Sequence, residues 1–194
     1  MKKNGKKLGI LTLIVLFIST SFTNSSTTGS VIWGMSSKYG PYIDLEKVFV
    51  VEEVVDEMED FLSAIGHKES RNQYDIVNKY GYMGRYQFGK RTLKGLGYDV
   101  SKQEFLSNPE IQEMAMQDLL KHNKEKLQKY IDLYEGDTLH GIFITESGVL
   151  AAAHLAGCGN VKKFFTKGYE FKDGFGTRLT SYMEKFSGYN LILE

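Results

Sequence analysis

Apolar residues recur every three or four positions over long stretches of the chain, which predicts helices rather than strands. The first stretch runs from Leu45 to Ile65, and acidic side chains fill its opposite face. Gly66 is expected to loosen the end of this helix. Glu69 is therefore predicted just beyond the helix, where a rigid element meets a loop. Such a junction suits a functional side chain, because the element fixes it and a groove can still reach it.

Further helices are predicted along the rest of the chain. Asn108 as the N-cap and Pro109 at the first helical position begin a helix that continues to Tyr134. Gly148 to Leu155 is apolar almost all round, which predicts a buried central helix. Short helices are expected over Val161 to Phe165 and Leu179 to Phe186. Strand signals are weak throughout, so the predicted fold class is all-α.

The segment from Tyr80 to Gly97 combines five glycines with aromatic residues. It is predicted to be a loop followed by a short helix, or a small hairpin near residues 80–90. Gln87 supplies an amide side chain within it. About half of the nearby aromatic residues are expected in the core, and the other half on a groove floor where rings stack on sugar faces. These residues are Tyr74, Tyr80, Tyr82, Tyr86 and Phe88.

The chain begins with four lysines among its first seven residues, then an apolar run from Leu8 to Ile18, then small polar residues. This order predicts a secretory signal peptide over residues 1–24 and an exported protein, periplasmic or secreted. The apolar run is shorter than the roughly 20 residues of a spanning helix, so no stable membrane insertion is expected after cleavage. An uncleaved anchor reaching Phe22 is the alternative. Residues 25–43 are predicted to be a linker or arm, and residues 44–194 the folded domain.

Charge and cysteine content narrow the classes of function. Residues 1–24 hold four lysines and no acids, so the remainder has 20 basic and 24 acidic residues and a net charge of −4. With no cluster of lysine and arginine among aromatic residues, nucleic-acid binding is not expected. Cys158 is the only cysteine, so no intramolecular disulfide can form. No phosphate loop, zinc finger or calcium loop is found, and neither a cofactor nor a metal is predicted.

Three motifs in a fixed order carry a family resemblance. They are Glu69-Ser70, Gly84-Arg85-Tyr86-Gln87-Phe88 and Ala153-His154-Leu155-Ala156-Gly157-Cys158-Gly159. Together they resemble the lysozyme-like superfamily, specifically soluble lytic transglycosylase and goose-type lysozyme domains, over about residues 58 to 188. The later Gly176-Thr177-x-x-x-x-Tyr182 resembles a branch of bacterial exported proteins in that superfamily. The resemblance implies a helical domain with a substrate groove that cleaves the MurNAc–GlcNAc β-1,4 bond of peptidoglycan glycan strands.

The resemblance also implies roles for individual residues. Glu69 would be the catalytic acid, Ser70 would support it or the substrate, and Gln87 would contact the sugar. Tyr82, Tyr86, His154 and Tyr182 are further candidates for substrate binding. The chain departs from the family pattern at His154-Leu155, where Tyr-Asn is usual, and at Tyr86, which replaces a smaller apolar residue.

Glycoside hydrolysis normally uses two carboxyl groups. Here only Glu69 has an obvious position, and Asp75 is the best second candidate. One acid suffices if the C6 hydroxyl of muramic acid attacks C1 and forms a 1,6-anhydro ring. Glu69 would then protonate the bridging oxygen and later accept the hydroxyl proton. Apolar neighbours around Glu69 would favour the protonated form that the first step needs.

Other interpretations remain open at this stage. Hydrolysis by a muramidase is a close variant of transglycosylation. A non-catalytic peptidoglycan-binding or scaffold protein on the same fold is an alternative from another class. His154 and Cys158 lie four residues apart, so a cysteine–histidine hydrolase is a further alternative. A monomer is expected.

Overall fold

Residues 56–193 are described by the computed structural model, and helices account for most of them. The predicted signal peptide, the whole of the predicted linker or arm, and residues 44–55 of the predicted domain lie outside the described residues. None of the helices in the described part is long and apolar enough to cross a membrane. The helices are α1 Met58–Ser70, α2 Lys90–Gly95, α3 Lys102–Ser107, α4 Pro109–Tyr134, α5 Glu146–Ala156, α6 Cys158–Lys167 and α7 Leu179–Lys185. The strands are β1 Thr138–Leu139 and β2 Ile142–Phe143.

Helix α1 begins later than the apolar pattern predicts. Residues 56 and 57 are not helical, so the prediction of one helix from 45 to 65 is wrong at this point, and residues 45–55 lie outside the described part. The chain here pairs with the C-terminal segment instead. The Glu57 backbone N–H donates to the Asn190 carbonyl, and the Asp56 carboxylate accepts from the backbone N–H groups of Met58 and Ile192.

Helix α1 also ends later than predicted, because it continues through Gly66 to Ser70. Gly66 is buried in mid-helix, and a Cβ there would lie 2.4 Å from Asn72 Oδ1 and 2.6 Å from Arg85 Nε. The lack of a side chain at Gly66 thus lets the Asn72 and Arg85 side chains lie close to the helix backbone, and it does not loosen the helix. Arg71 follows in the left-handed conformation and closes the helix end. Glu69 therefore lies in the last turn of α1, on the rigid element itself.

Helix α4 has the predicted bounds, and the Asn108 side chain caps it by accepting from the Ile111 backbone N–H. Helix α5 is buried along residues 147–153, as predicted for a central helix. It packs against α4, α6 and α7. Gly148 lets α5 approach α7 closely, since a Cβ at this position would lie 2.5 Å from the Met183 carbonyl oxygen.

A short antiparallel hairpin, β1–β2, departs from the all-α prediction. His140 and Gly141 between the strands both have positive φ, the conformation that a two-residue type I′ turn requires. Two-residue strands are too short to give an alternating pattern in the sequence. Near residues 80–90 the chain forms isolated bridges, Val77 with Met83 and Met83 with Phe88, followed by α2. The predicted loop and short helix are thus confirmed there.

Cys158 begins α6 and is half-buried. Its Sγ donates a hydrogen bond to Asn123 Oδ1 of α4 at 3.0 Å. Burial raises the pKa of the thiol, although Lys126 and Lys162 act in the opposite direction. These contacts make Cys158 a packing residue between α4 and α6.

Candidate active site

A cavity of about 340 Å³ opens beside the C-terminal end of α1. Glu69 lies on its wall, together with residues of the 78–89 segment, of α5 and of the 173–175 loop. Its polar lining consists of Glu69, Asn78, Gln87, Thr92, His154 and Asp173. The bulky apolar and aromatic residues of the lining are Tyr80, Tyr82, Phe88, Leu119, Leu155 and Phe175. We refer to this cavity as the groove.

The Glu69 carboxylate is held by a residue far away in the sequence. Tyr182 of α7 donates its hydroxyl to Glu69 Oε1 at 2.5 Å. Burial raises the pKa of the Tyr182 phenol, and the Glu69 and Asp173 carboxylates raise it further, so the hydroxyl keeps its proton and donates it. Tyr182 is only 2 % exposed and does not line the groove. Its expected contact with substrate is therefore corrected to a contact with Glu69.

His154 lies next to the same carboxylate. Its Nε2 is 3.9 Å from Glu69 Oε1, and its side chain is 7 % exposed. Nδ1 has no hydrogen-bond partner among the described residues. Burial lowers the pKa of His154, which the Glu69 carboxylate and the Tyr86 backbone counteract without reversing. The imidazole is therefore neutral near pH 7 and lines the groove without forming an ion pair with Glu69.

The Gly84–Phe88 segment is fixed from behind by a buried amide. Gln112 accepts from the Arg85 backbone N–H and donates to the carbonyls of Tyr74 and Phe105. Gly84 has φ of +73°, and a Cβ there would lie 2.0 Å from Gln112 Oε1. Gln87 lines the groove, and its amide nitrogen donates to the Gly84 carbonyl at 2.9 Å, which fixes the orientation of the amide.

Tyr86 and Ser70 do not face the groove, which corrects their expected contacts with substrate. Tyr86 is fully buried, and its hydroxyl donates to Glu113 Oε2. Arg85 and Tyr74 bind Glu113 Oε1, which completes a polar cluster behind the Gly84–Phe88 segment. Ser70 donates to the Arg85 carbonyl and accepts from the Gln73 backbone N–H, so it joins the end of α1 to this segment.

Two aromatic residues meet at the mouth of the groove. Tyr80 and Phe175 are both more than half exposed, and their ring centroids lie 5.0 Å apart in an edge-to-face arrangement. Asn78 and Asp173 side chains accept backbone N–H groups and fix the two loops. Tyr82, one of the predicted substrate-binding residues, lines the groove and is 46 % exposed. The contribution of the Phe175 loop to the groove could not be predicted, since no pattern in the sequence connects it with Glu69.

The second-carboxylate candidate lies apart from the groove. Asp75 is exposed and does not belong to the lining. Asp173 does line the groove, but its Oδ1 already accepts from the backbone N–H groups of Phe175 and Thr177. Of these two lining carboxylates, Glu69 is thus the one that accepts from a side chain, the Tyr182 hydroxyl.

The cysteine–histidine alternative is not supported by the geometry. Cys158 donates to Asn123, whereas His154 lies beside Glu69. Burial raises the pKa of the thiol, the opposite of what a thiolate nucleophile needs. Within residues 56–193 no group of three or more His, Cys, Asp or Glu side chains could hold a metal ion.

The Tyr182→Phe variant is expected to lower the turnover of a Glu69-dependent reaction by about 10- to 100-fold, the range for one hydrogen bond to a charged group. The reason is that Phe keeps the buried ring but no longer fixes Oε1. Steady-state kinetics checks this, with circular dichroism to verify the fold. Tyr169→Phe is the matched control, because Tyr169 is exposed and lies outside the groove. Equal turnover in both variants would contradict the positioning role of Tyr182.

A scan against protein-family models and searches of curated proteins and of solved structures find no match for this chain. The classification that follows is the mainly helical fold with its small hairpin.

Proposed function

We propose that this protein is an exported peptidoglycan-cleaving enzyme that acts on the MurNAc–GlcNAc β-1,4 glycosidic bond as a lytic transglycosylase. The observation that carries the proposal is the position of Glu69: a carboxyl group fixed by Tyr182 on a groove wall that also bears aromatic rings and an amide. The ordered motifs shared with lysozyme-like domains add support from the sequence. The predicted signal peptide supports a site of action outside the cytoplasm.

The shape and chemistry of the groove suit a sugar chain. Tyr80, Tyr82 and Phe175 are exposed rings at its mouth, and an apolar ring face packs well against a sugar ring. Gln87 offers a fixed amide deeper in the groove, where hydrogen bonds can select hydroxyl and acetamido groups. The groove therefore combines stacking surfaces with a few oriented polar groups, the combination that carbohydrate recognition requires.

The proposed reaction needs one carboxyl group. Glu69 in its protonated form donates its proton to the bridging oxygen while the C1–O bond breaks. The C6 hydroxyl oxygen of the same muramic acid then bonds to C1, and its proton passes to the Glu69 carboxylate. The acid is regenerated, and the products are a 1,6-anhydro end and a free C4 hydroxyl. Asp75 is not needed for this sequence, which fits its position outside the groove lining.

Mass spectrometry of purified peptidoglycan after incubation with the mature protein tests the proposal. Anhydro-muropeptides are expected. Reducing-end muropeptides would replace transglycosylation by muramidase hydrolysis and require a second group that activates water. Absence of any product from folded protein would overturn the enzymatic proposal, and co-sedimentation with the same peptidoglycan would then identify the non-catalytic binding alternative.

Asp75→Asn is expected to cleave peptidoglycan at the wild-type rate, because its carboxylate is solvent-exposed and outside the groove lining. The measurement is the initial rate of muropeptide release under the same conditions as for the wild type. A loss of about 100-fold or more, comparable with the removal of a catalytic acid or base, would instead assign Asp75 to the reaction.

A further inference from the structure

The environment of His154 contains an unexplained feature. The side chain is more than nine-tenths buried in the groove wall, yet Nδ1 has no hydrogen-bond partner among the described residues. Buried polar side-chain atoms are usually paired in folded proteins. The imidazole also makes an edge-to-face contact with Phe88, which fixes the ring plane. This packing fixes the ring with its Nε2 turned toward Glu69, and no direct hydrogen bond joins the two groups.

The distance between His154 and Glu69 suggests what the pair can bind. Nε2 and Oε1 are 3.9 Å apart, too far for a direct hydrogen bond. An oxygen atom about 2.8 Å from each would make an angle of about 90° between them, which suits a hydroxyl that donates to one and accepts from the other. The Tyr182 hydroxyl already occupies one acceptor position of Oε1, and a carboxylate has several such positions.

We propose that His154 and Glu69 together hold one substrate hydroxyl, and that this is the C6 hydroxyl that attacks C1. His154 is then a substrate-contacting residue that selects the nucleophile, an inference that rests on the proposed transglycosylase function. Nε2 carries the imidazole proton, since it faces the carboxylate, and donates it to the hydroxyl oxygen. The hydroxyl donates its own hydrogen to Glu69, which accepts that proton when the C6 oxygen bonds to C1.

This arrangement explains why an intramolecular attack would prevail over water. The C6 hydroxyl belongs to the bound substrate and so has a high effective concentration beside the anomeric carbon. A water molecule would have to be bound and oriented at that position in a separate step. The site for the hydroxyl also requires a neutral imidazole, because a charged His154 would form an ion pair with Glu69 and leave no room for the hydroxyl between them. Burial keeps the pKa of His154 low and so maintains the neutral form.

The test compares His154→Phe with His154→Gln on purified peptidoglycan, with products separated by mass spectrometry. Phe keeps a ring against Phe88 but removes both nitrogen atoms, whereas the Gln amide nitrogen can reach the position of Nε2. We expect His154→Phe to lower the ratio of anhydro to reducing-end products, and its kcat, by between about two- and tenfold. His154→Gln is expected to restore the ratio. His122→Phe is the matched control, since His122 lies on α4 outside the groove.

The outcomes separate this inference from the proposed function. A wild-type product ratio and kcat in His154→Phe would overturn the inference and leave the transglycosylase proposal intact. Equal losses in both variants with an unchanged product ratio would show a structural role and also overturn it. Only reducing-end products from the wild type would overturn it while retaining glycosidic cleavage. No products from the folded wild type would overturn the proposed function itself, and the inference with it. If His154→Phe does not fold, His154→Leu takes its place, because it also lacks both nitrogen atoms: a fall in its ratio of anhydro to reducing-end products supports the inference, and a wild-type ratio overturns it.

Discussion

The Glu69→Gln variant is expected to lose peptidoglycan cleavage by about 10³-fold while keeping the wild-type fold, since a positioned general acid contributes roughly 10²- to 10⁴-fold. Gln has nearly the same shape as Glu, and its amide oxygen can still accept the Tyr182 hydroxyl that now binds Oε1. It has no acidic proton to give to the bridging oxygen. The rate of muropeptide release measures the loss, and thermal unfolding measures the fold.

Glu146→Gln provides the matched control for this variant. Glu146 also precedes a serine, but it begins α5 and forms an ion pair with Lys124 at 2.8 Å. It lies outside the groove lining. We expect its cleavage rate to equal that of the wild type. Full activity in Glu69→Gln, or equal losses in the two variants, would contradict the assignment of Glu69 as the acid.

Gly148→Ala is expected to lower the free energy of unfolding by about 1–3 kcal/mol, the range for overpacking in a core. At an open position in a helix the same change would stabilise the protein by up to about 1 kcal/mol. Here the added Cβ would lie 2.5 Å from the Met183 carbonyl oxygen, and a backbone atom cannot rotate away as a side chain can. Helices α5 and α7 must therefore move apart.

The same movement would change the geometry of the groove. Helix α5 bears His154 and α7 bears Tyr182, so a wider spacing changes both neighbours of Glu69. We expect Gly148→Ala to lose cleavage activity at temperatures where it is still folded. Chemical denaturation and cleavage rates measure the two effects separately. Gly95→Ala is the control, because no atom lies within 4 Å of a Cβ there, and it should be neutral or stabilising. Equal stability of the two variants would contradict the close contact.

The elements that follow from local chemistry could be predicted from the sequence. The Asn108-Pro109 pair defines the start of α4 because a cap and a proline act within one turn. The start of α1 could not be predicted in this way. The apolar pattern continues across residues 56 and 57, but these residues bond to the C-terminal segment more than 130 positions away. Competition from such distant partners is not visible in a local pattern.

In the candidate site, too, the residues within short local motifs could be predicted and the contacts between distant residues could not. Glu69 and Gln87 could be singled out because short motifs surround them, and both lie on the groove. The bond between Tyr182 and Glu69 joins residues 113 positions apart, so no local pattern indicates it. Tyr86 illustrates the converse problem. Its motif predicts a place on the groove, yet its hydroxyl donates to Glu113 of α4 in the buried cluster.

The single thiol of Cys158 offers a probe of local opening that requires no substitution. Alkylating reagents react with the thiolate, and half-burial together with a raised pKa makes that form scarce in the folded protein. Separation of α6 from α4 would break the bond to Asn123 and expose the sulfur. The labelling rate of the folded protein relative to that of the denatured protein therefore rises when these two helices separate more often. Because α6 follows directly on α5, the alkylation rate of Cys158 would also respond to motion of the groove wall that bears His154.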